Sequence, residues 1–388
     1  MTIDIDAAVS KVLPSSGGET TVEVTLDPVA KAQPTTRHVA LLIDTSFSMD
    51  GEKIRNAKRG SKQALQELDP DDYVSIVGFD SSVEVVTPMT RWGDVTQADV
   101  EADIDAIEAA NGTDIYNGLE TVRDQLVDDT PDNPRAVKRI ILLSDGQDRF
   151  EADTYRDLAA EYDDDGLSII AAGIGRAYDE AVILALANAS GGEPVDLSED
   201  AIDHFLEETV GNTENVLASK PVLDIEPEQG FIVPDDEAYF EAPTTEERAI
   251  DTDASPNTLA LPELEVGSQQ RFTFTVLGQP KSAGLTHELA TLRVRDATGS
   301  VLAETTASVE YSANGGLARA GIERARAASK VRVDIQDPDV SKTRVEEGIE
   351  RLRDEGWDDT ADELERDLRR ADEDGGLIRV SKTKVNSD

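Results

Sequence analysis

The segment Val39-Ala40-Leu41-Leu42-Ile43-Asp44-Thr45-Ser46-Phe47-Ser48-Met49 runs apolar into a carboxylate and then sets hydroxyls at the second and fourth positions after it. Side chains of an extended segment repeat with period two, so Asp44, Ser46 and Ser48 can start on one side of the chain and converge as the strand gives way to a loop. One carboxylate and two hydroxyls make a hard, oxygen-only half-site suited to Mg²⁺ or Mn²⁺. Two later segments offer the other half. Ala136-Val137-Lys138-Arg139-Ile140-Ile141-Leu142-Leu143-Ser144-Asp145-Gly146 is again an apolar run ending in an acid and a glycine. Asn111-Gly112-Thr113-Asp114-Ile115-Tyr116-Asn117-Gly118-Leu119 reads as a loop leading into a helix. A strand-end Asp with hydroxyls after it can also merely cap a helix or shape a turn. Three such elements in order favour the metal.

In that order and approximate spacing the residues resemble the von Willebrand factor type A family, whose metal-ion-dependent adhesion site is written Asp-x-Ser-x-Ser, then Thr, then Asp. The resemblance implies that Ser46, Ser48 and Thr113 bind the metal directly, while Asp44 and Asp145 act directly or through water. It implies also that an open coordination position takes an Asp or Glu of a partner protein. Intracellular members of the family work beside AAA+ ATPases of the MoxR or metal-chelatase type, or in kinase and phosphatase signalling assemblies, which makes those the expected partner classes. The family usually has Gly between the two serines, where this chain has Phe47. A positive φ at that position would strain Phe47.

The same residues argue for contact over catalysis. His38, His204 and His287 fall in no metal-ligand or triad spacing, and the chain has no cysteine, so no general base or thiol nucleophile is evident beside the metal. One enzymatic alternative is an aspartyl-phosphate phosphotransferase, with Asp44 as nucleophile and Asp145 helping to hold Mg²⁺. That chemistry needs a second acid two residues after the nucleophile, and Ser46 occupies the position. A structural scaffold with a lapsed metal site is the other alternative.

With 388 residues the chain has room for two or three domains. Its 81 acidic and 37 basic residues give a formal net charge of −44, a field that disfavours nonspecific binding to nucleic acid or anionic lipid. The acids are dispersed in clusters such as Asp69 to Asp72 and Asp163 to Asp165, a halophilic pattern of the haloarchaeal kind in which a carboxylate surface stays hydrated while salt screens its self-repulsion. No cysteines means no disulfides or zinc-thiolate sites. The N-terminus has no basic region followed by an apolar core, and no apolar run reaches transmembrane length, so the expected location is cytoplasmic.

Residues 37–219 alternate strand and helix patterns, with strands expected at His38 to Asp44, Tyr73 to Phe79, Val83 to Pro88, Lys138 to Ser144, Leu167 to Ile174 and Pro194 to Leu197. Helices are expected between them, among them Glu52 to Leu68, Ile115 to Asp128 and Ala201 to Glu214. This is a doubly wound, mostly parallel α/β sheet, and it sets Asp44 and Asp145 at the carboxyl ends of central strands, where open α/β sheets place their sites. Period-two segments lie on both flanks: Val22, Val24 and Leu26 before it, and Phe272, Phe274 and Val276 after it. Thr291 to Asp296, Val301 to Thr305 and Ala307 to Tyr311 are further strand candidates. The economical reading is one β-sandwich from residues 1–36 and 220–312, with the metal-binding domain inserted in it. Residues 313–374 read as helical, through Leu317 to Val333, Val340 to Arg353 and Trp357 to Ala371, and residues 313–388 carry only −4 of the net charge. Their bases are expected to pair with helix acids or to meet the acidic body, or else to form a partner surface. Residues 375–388 show no core-forming pattern and are expected to form a flexible tail.

Overall fold

The computed structural model describes residues 3–29, 36–110, 112–145, 150–175, 178–234, 237–242, 246–313, 320–336, 340–373 and 383–385. The chain forms two compact units, 33–219 with 382–388, and 1–32 with 220–381.

The first unit is a seven-stranded sheet flanked by helices. In chain order its elements are β1 (Arg37–Asp44), α1 (Glu52–Ala64), β2 (Tyr73–Phe79), β3 (Val83–Arg91), α2 (Gln97–Ala106), α3 (Ile115–Asp128), β4 (Val137–Ser144), α4 (Ala152–Asp164), β5 (Leu167–Ile174), α5 (Glu180–Ala189), β6 (Pro194–Leu197) and α6 (Ile202–Asn212). A last strand, β7 (Thr383–Val385), completes it. The order across the sheet is β7-β6-β5-β4-β1-β2-β3. Every pairing is parallel except β2 with β3.

Burial on both faces explains why the central strands read as unbroken apolar runs. Val39, Leu41 and Ile43 join one core with Ile141, Leu143, Ile174, Ile54 and Leu206. Ala40 and Leu42 point the other way and join a second with Ile140, Leu142, Leu119, Val122 and Tyr155. Each buried Leu, Ile or Val contributes roughly 1.5–3 kcal/mol to holding the sheet. On α1 the buried positions Ile54, Ala57, Gly60, Ser61 and Ala64 follow helical spacing. Gly60 lets α1 approach α6 backbone to backbone, since a Cβ there would lie 2.5 Å from the Asp203 Cα.

Chain order departs from β1 in both directions. The strands after it run first to one side, β2 and β3, and later to the other, β4, β5 and β6. The carboxyl ends of β1 and β4 therefore border the crevice where the winding reverses. Asp44 ends β1 and Asp145 directly follows β4.

The second unit contains two antiparallel sheets. One has the order Ile3–Val9, Gly18–Pro28, Gln270–Gly278, Glu237–Ala242, Glu246–Ala249; the other runs Asn257–Ala260, Val222–Pro227, Thr286–Arg295, Val301–Ser312, Leu13–Pro14, its last pairing parallel. The alternation visible in sequence is the core face: Val22 lies opposite Phe274 and Val24 opposite Phe272, all fully buried. Where two strands are expected between Val301 and Tyr311 there is a single one, Val301–Ser312. Register shifts at Glu288/Ala290 and Val294/Arg295 in its pairing with Thr286–Arg295 take up the irregularity.

The helices α7 (Ala320–Gln336), α8 (Lys342–Asp354) and α9 (Asp358–Glu373) belong to this second unit. They share a core of Ala328, Val331, Ile335, Val345, Ile349, Leu352, Ala361, Leu364 and Leu368. Their bases pair largely with helix acids: Arg353 with Asp362 at 3.0 Å and Glu365 at 2.6 Å, Arg332 with Glu363 at 3.0 Å. Arg326 stacks over the Tyr239 ring at 4.7 Å.

Within residues 375–388, read above as a flexible tail, Thr383–Val385 lie in register beside Val195–Leu197 as an edge strand. Three residues are too few to show a period, and an exposed edge recruits them through backbone groups that any sequence offers. The rest of that segment lies outside the described residues, as do Asn111 and Gly146. Among the described residues no helix is long and apolar enough to cross a membrane.

Candidate metal centre

Four of the five residues singled out by the sequence meet at the carboxyl ends of β1 and β4. Asp44 is fully buried, and each of its carboxylate oxygens accepts a hydrogen bond: Oδ1 from the Ser46 amide at 2.8 Å, Oδ2 from the Ser144 hydroxyl at 2.7 Å. The first bond turns the chain sharply out of the strand; the second ties β1 to β4. Ser46 then caps a single 3₁₀ turn, Phe47–Met49, which carries Ser48 round to the same side. The Ser46 and Ser48 hydroxyls stand 2.9 Å apart, and the Ser48 hydroxyl donates to Asp145 Oδ1 at 2.7 Å. Hydroxyl, hydroxyl and carboxylate thus form a continuous oxygen array, with Asp44 fixed behind it.

Phe47 sits in this turn without strain, because among the described residues no residue other than Gly has positive φ. The expected cost of Phe at the usual Gly position does not arise. Its side chain is 67% exposed, so it contributes nothing to the core. The demand for positive φ falls instead on Gly51, at 94°, which turns the chain into α1.

Thr113, the fifth residue, is half-buried, and among the described residues no hydrogen bond joins its hydroxyl to the other four. Its loop is nevertheless pinned to theirs. The Ala110 amide donates to the Thr45 carbonyl at 2.7 Å, and Ala110 bridges Ser46. Two residues on, Gly112 has φ 94° and lies so close to Ser81 that a Cβ would meet it at 2.8 Å. Asp114 caps α3, accepting from the Asn117 amide at 3.3 Å and side-chain amide at 2.6 Å.

Sequence reasoning passed over three residues here. Ser144 positions Asp44, as described. Lys53, in the first turn of α1, is ion-paired with Asp145 Oδ2, and Glu199, in the turn before α6, lies 3.8 Å from the same ammonium. A first-turn lysine is unremarkable in sequence, and the pairing joins residues 92 apart, so no local signal marks it.

Burial raises the Asp44 carboxyl above the usual carboxylate range, and nearby Asp145 pushes it further; hydrogen bonds from Ser46 and Ser144 oppose both. Oxygen donors only, two of them neutral hydroxyls, fit a hard divalent cation. Ser46, Ser48 and Asp145 are placed to hold it, with Asp44 as the second-line acceptor. The histidines take no part: His38 is buried at the far end of β1, His204 is on the surface 3.3 Å from Glu208, and His287 meets the Tyr311 ring edge-on.

Comparison with known proteins agrees with this fold. Residues 38–207 match the family model of the von Willebrand factor type A domain, and this stretch is such a domain. A von Willebrand factor type A structure from Catenulispora acidiphila matches with a TM-score of 0.70 at 18% identity, covering 93% of this chain and 89% of that one. The ArnB paralogue VWA2 from Sulfolobus acidocaldarius matches with 0.54 at 16% identity, covering 96% and 90%. Both likenesses are of fold. By sequence, a von Willebrand factor A domain-containing protein of Dictyostelium discoideum is 29% identical over 157 residues, 39% of this chain and 17% of its own length. Human inter-alpha-trypsin inhibitor heavy chain H2 is 26% identical over 176 residues, 43% of this chain and 18% of its own length. The chain therefore spans under a fifth of either relative.

Proposed function

We propose that the von Willebrand factor type A domain at residues 38–207 is a metal-dependent protein-interaction module, holding one Mg²⁺ or Mn²⁺ through Ser46, Ser48, Thr113 and Asp145 with Asp44 in support. The observation that carries this reading is the array from Ser46 through Ser48 to Asp145, backed by a carboxylate whose two oxygens are already occupied. Two carboxylates and three hydroxyls offset a divalent charge without filling its shell. The ion then remains an electrophile for one further carboxylate, and the ligand is an Asp or Glu on the surface of a partner protein. This makes the chain an adaptor, and an AAA+ ATPase or a signalling kinase or phosphatase is the class of assembly in which to look for the partner.

Mg²⁺ calorimetry in molar KCl tests the site, because high salt suppresses weak uptake by the dispersed surface acids. The wild-type protein is expected to bind about one ion, and the double variant Ser46→Ala, Asp145→Ala none at that affinity. Equal uptake by both would end the proposal. Affinity capture with intact Asp44 and with Asp44→Ala then separates metal-dependent partners from the rest.

The charge pattern supports a high-salt working environment. Of the net −44, −40 lies before residue 313, and lowering salt from molar strength to 0.01 M lengthens the screening distance from about 3 Å to about 30 Å. The melting temperature is expected to rise steeply with KCl into the molar range. A value independent of KCl would mark an ordinary acidic protein.

A further inference from the structure

Lys53 makes three contacts at the edge of the oxygen array. Its ammonium pairs with Asp145 Oδ2, donates to the Ser48 carbonyl at 3.3 Å, and lies 3.8 Å from Glu199 Oε1. The side chain is only 18% exposed and that of Asp145 1%, so the pair is shielded from bulk solvent. Asp145 is consequently shared, with Oδ1 turned to the Ser48 hydroxyl and Oδ2 to Lys53.

A divalent ion on the Ser46–Ser48–Asp145 array and an ammonium on Asp145 would be two cations at one carboxylate, and their repulsion is strong where water is scarce. Lysine is a point charge on a flexible four-carbon stem, so it can move where an arginine fork would be held. Glu199 is the acceptor within its reach. The Glu199 backbone is anchored to the same helix as Lys53, its carbonyl accepting from Asn56 Nδ2 at 2.8 Å, while its carboxylate is half exposed and free to follow the ammonium.

We propose that Lys53 is a built-in competitor for the divalent ion: it neutralises Asp145 until an ion arrives and then transfers to Glu199, so that the Lys53–Glu199 pair sets the metal affinity of the site. This deepens the metal reading above and rests on it. A lysine that merely braced Asp145 would have the opposite effect, since its removal would loosen a ligand and weaken the ion.

Mg²⁺ calorimetry on the full chain in molar KCl distinguishes the two. Lys53→Met is expected to bind Mg²⁺ about tenfold more tightly than wild type, equivalent to about 1.4 kcal/mol. Glu199→Gln, which removes the alternative acceptor, is expected to bind it roughly threefold more weakly. Lys58→Met serves as the control for simple loss of charge, because Lys58 lies on the same helix but donates to the Asp105 carbonyl at 3.0 Å; its affinity should match wild type. Unchanged or weaker binding by Lys53→Met would overturn the competitor role, and so would an equal gain in Lys58→Met. If wild type and Lys53→Met bind Mg²⁺ no better than the Ser46→Ala, Asp145→Ala variant, the metal reading itself fails and this inference falls with it.

Discussion

Asp72→Ala is expected to lower the unfolding free energy by about 3–5 kcal/mol, because it strands a guanidinium in the interior. Arg37 opens β1, and its side chain is 2% exposed, as is that of Asp72. Asp72 Oδ1 accepts from the Arg37 amide at 2.8 Å, while Oδ2 accepts from Arg37 Nε at 2.7 Å and from the Asp69 amide at 2.8 Å. Among the described residues, truncation leaves Arg37 only Asp69, an exposed carboxylate 3.3 Å away. Removing both charges is a different experiment: Arg37→Leu with Asp72→Leu should recover much of the loss, since an apolar pair of similar bulk needs no desolvation of ions. Urea unfolding in molar KCl measures both. A loss under about 1 kcal/mol in Asp72→Ala would show that water reaches the guanidinium and that the pair is not structural.

These buried partners mark where sequence reading stops. The apolar runs of β1 and β4 were legible because alternate residues feed two cores, and Asp44, Ser46, Ser48 and Asp145 stand where such runs end. Their convergence follows from strand order, which puts β1 beside β4 at the reversal of winding. Other features depend on contacts between residues far apart in sequence: Ser144 on Asp44, Lys53 on Asp145, Arg37 on Asp72. Periodicity carries no information about such pairs, for a lysine in a first helical turn looks the same whether it meets solvent or a buried carboxylate. Phe47 shows the reverse limit. A family pattern with Gly at that place suggested backbone strain, and the 3₁₀ turn accommodates Phe because the left-handed residue is Gly51. The edge strand Thr383–Val385 was hidden for a third reason, being held by backbone pairing that no side-chain pattern announces.

Acidification should weaken the same strand at its buried polar end. His38 is 1% exposed, lies in register between Tyr73 of β2 and Lys138 of β4, and has the edge of its ring against Tyr73 at a centroid distance of 4.9 Å. Its Nδ1 has no hydrogen-bond partner among the described residues. Burial, and then the charge of Lys138, pull its pKa down from 6.5 to about 4, so the folded protein holds it neutral. In the unfolded chain it takes up a proton near pH 6.5. The stability contributed by the neutral ring is therefore complete above that pH and is lost progressively as pH falls towards about 4, to a total of about 3 kcal/mol. Carboxylates also titrate in this range, so the measurement is a difference: urea unfolding of wild type and of His38→Phe from pH 7.5 to 4.5. The wild-type curve should fall more steeply, by up to about 1.4 kcal/mol per pH unit, the slope of one proton bound on unfolding. Parallel curves would mean that His38 takes up its proton as readily in the folded state as in the unfolded chain and that the far end of β1 admits water. A steeper wild-type curve would make β1 a strand with a pH-sensitive charge site at one end and Asp44, proposed to support the metal, at the other.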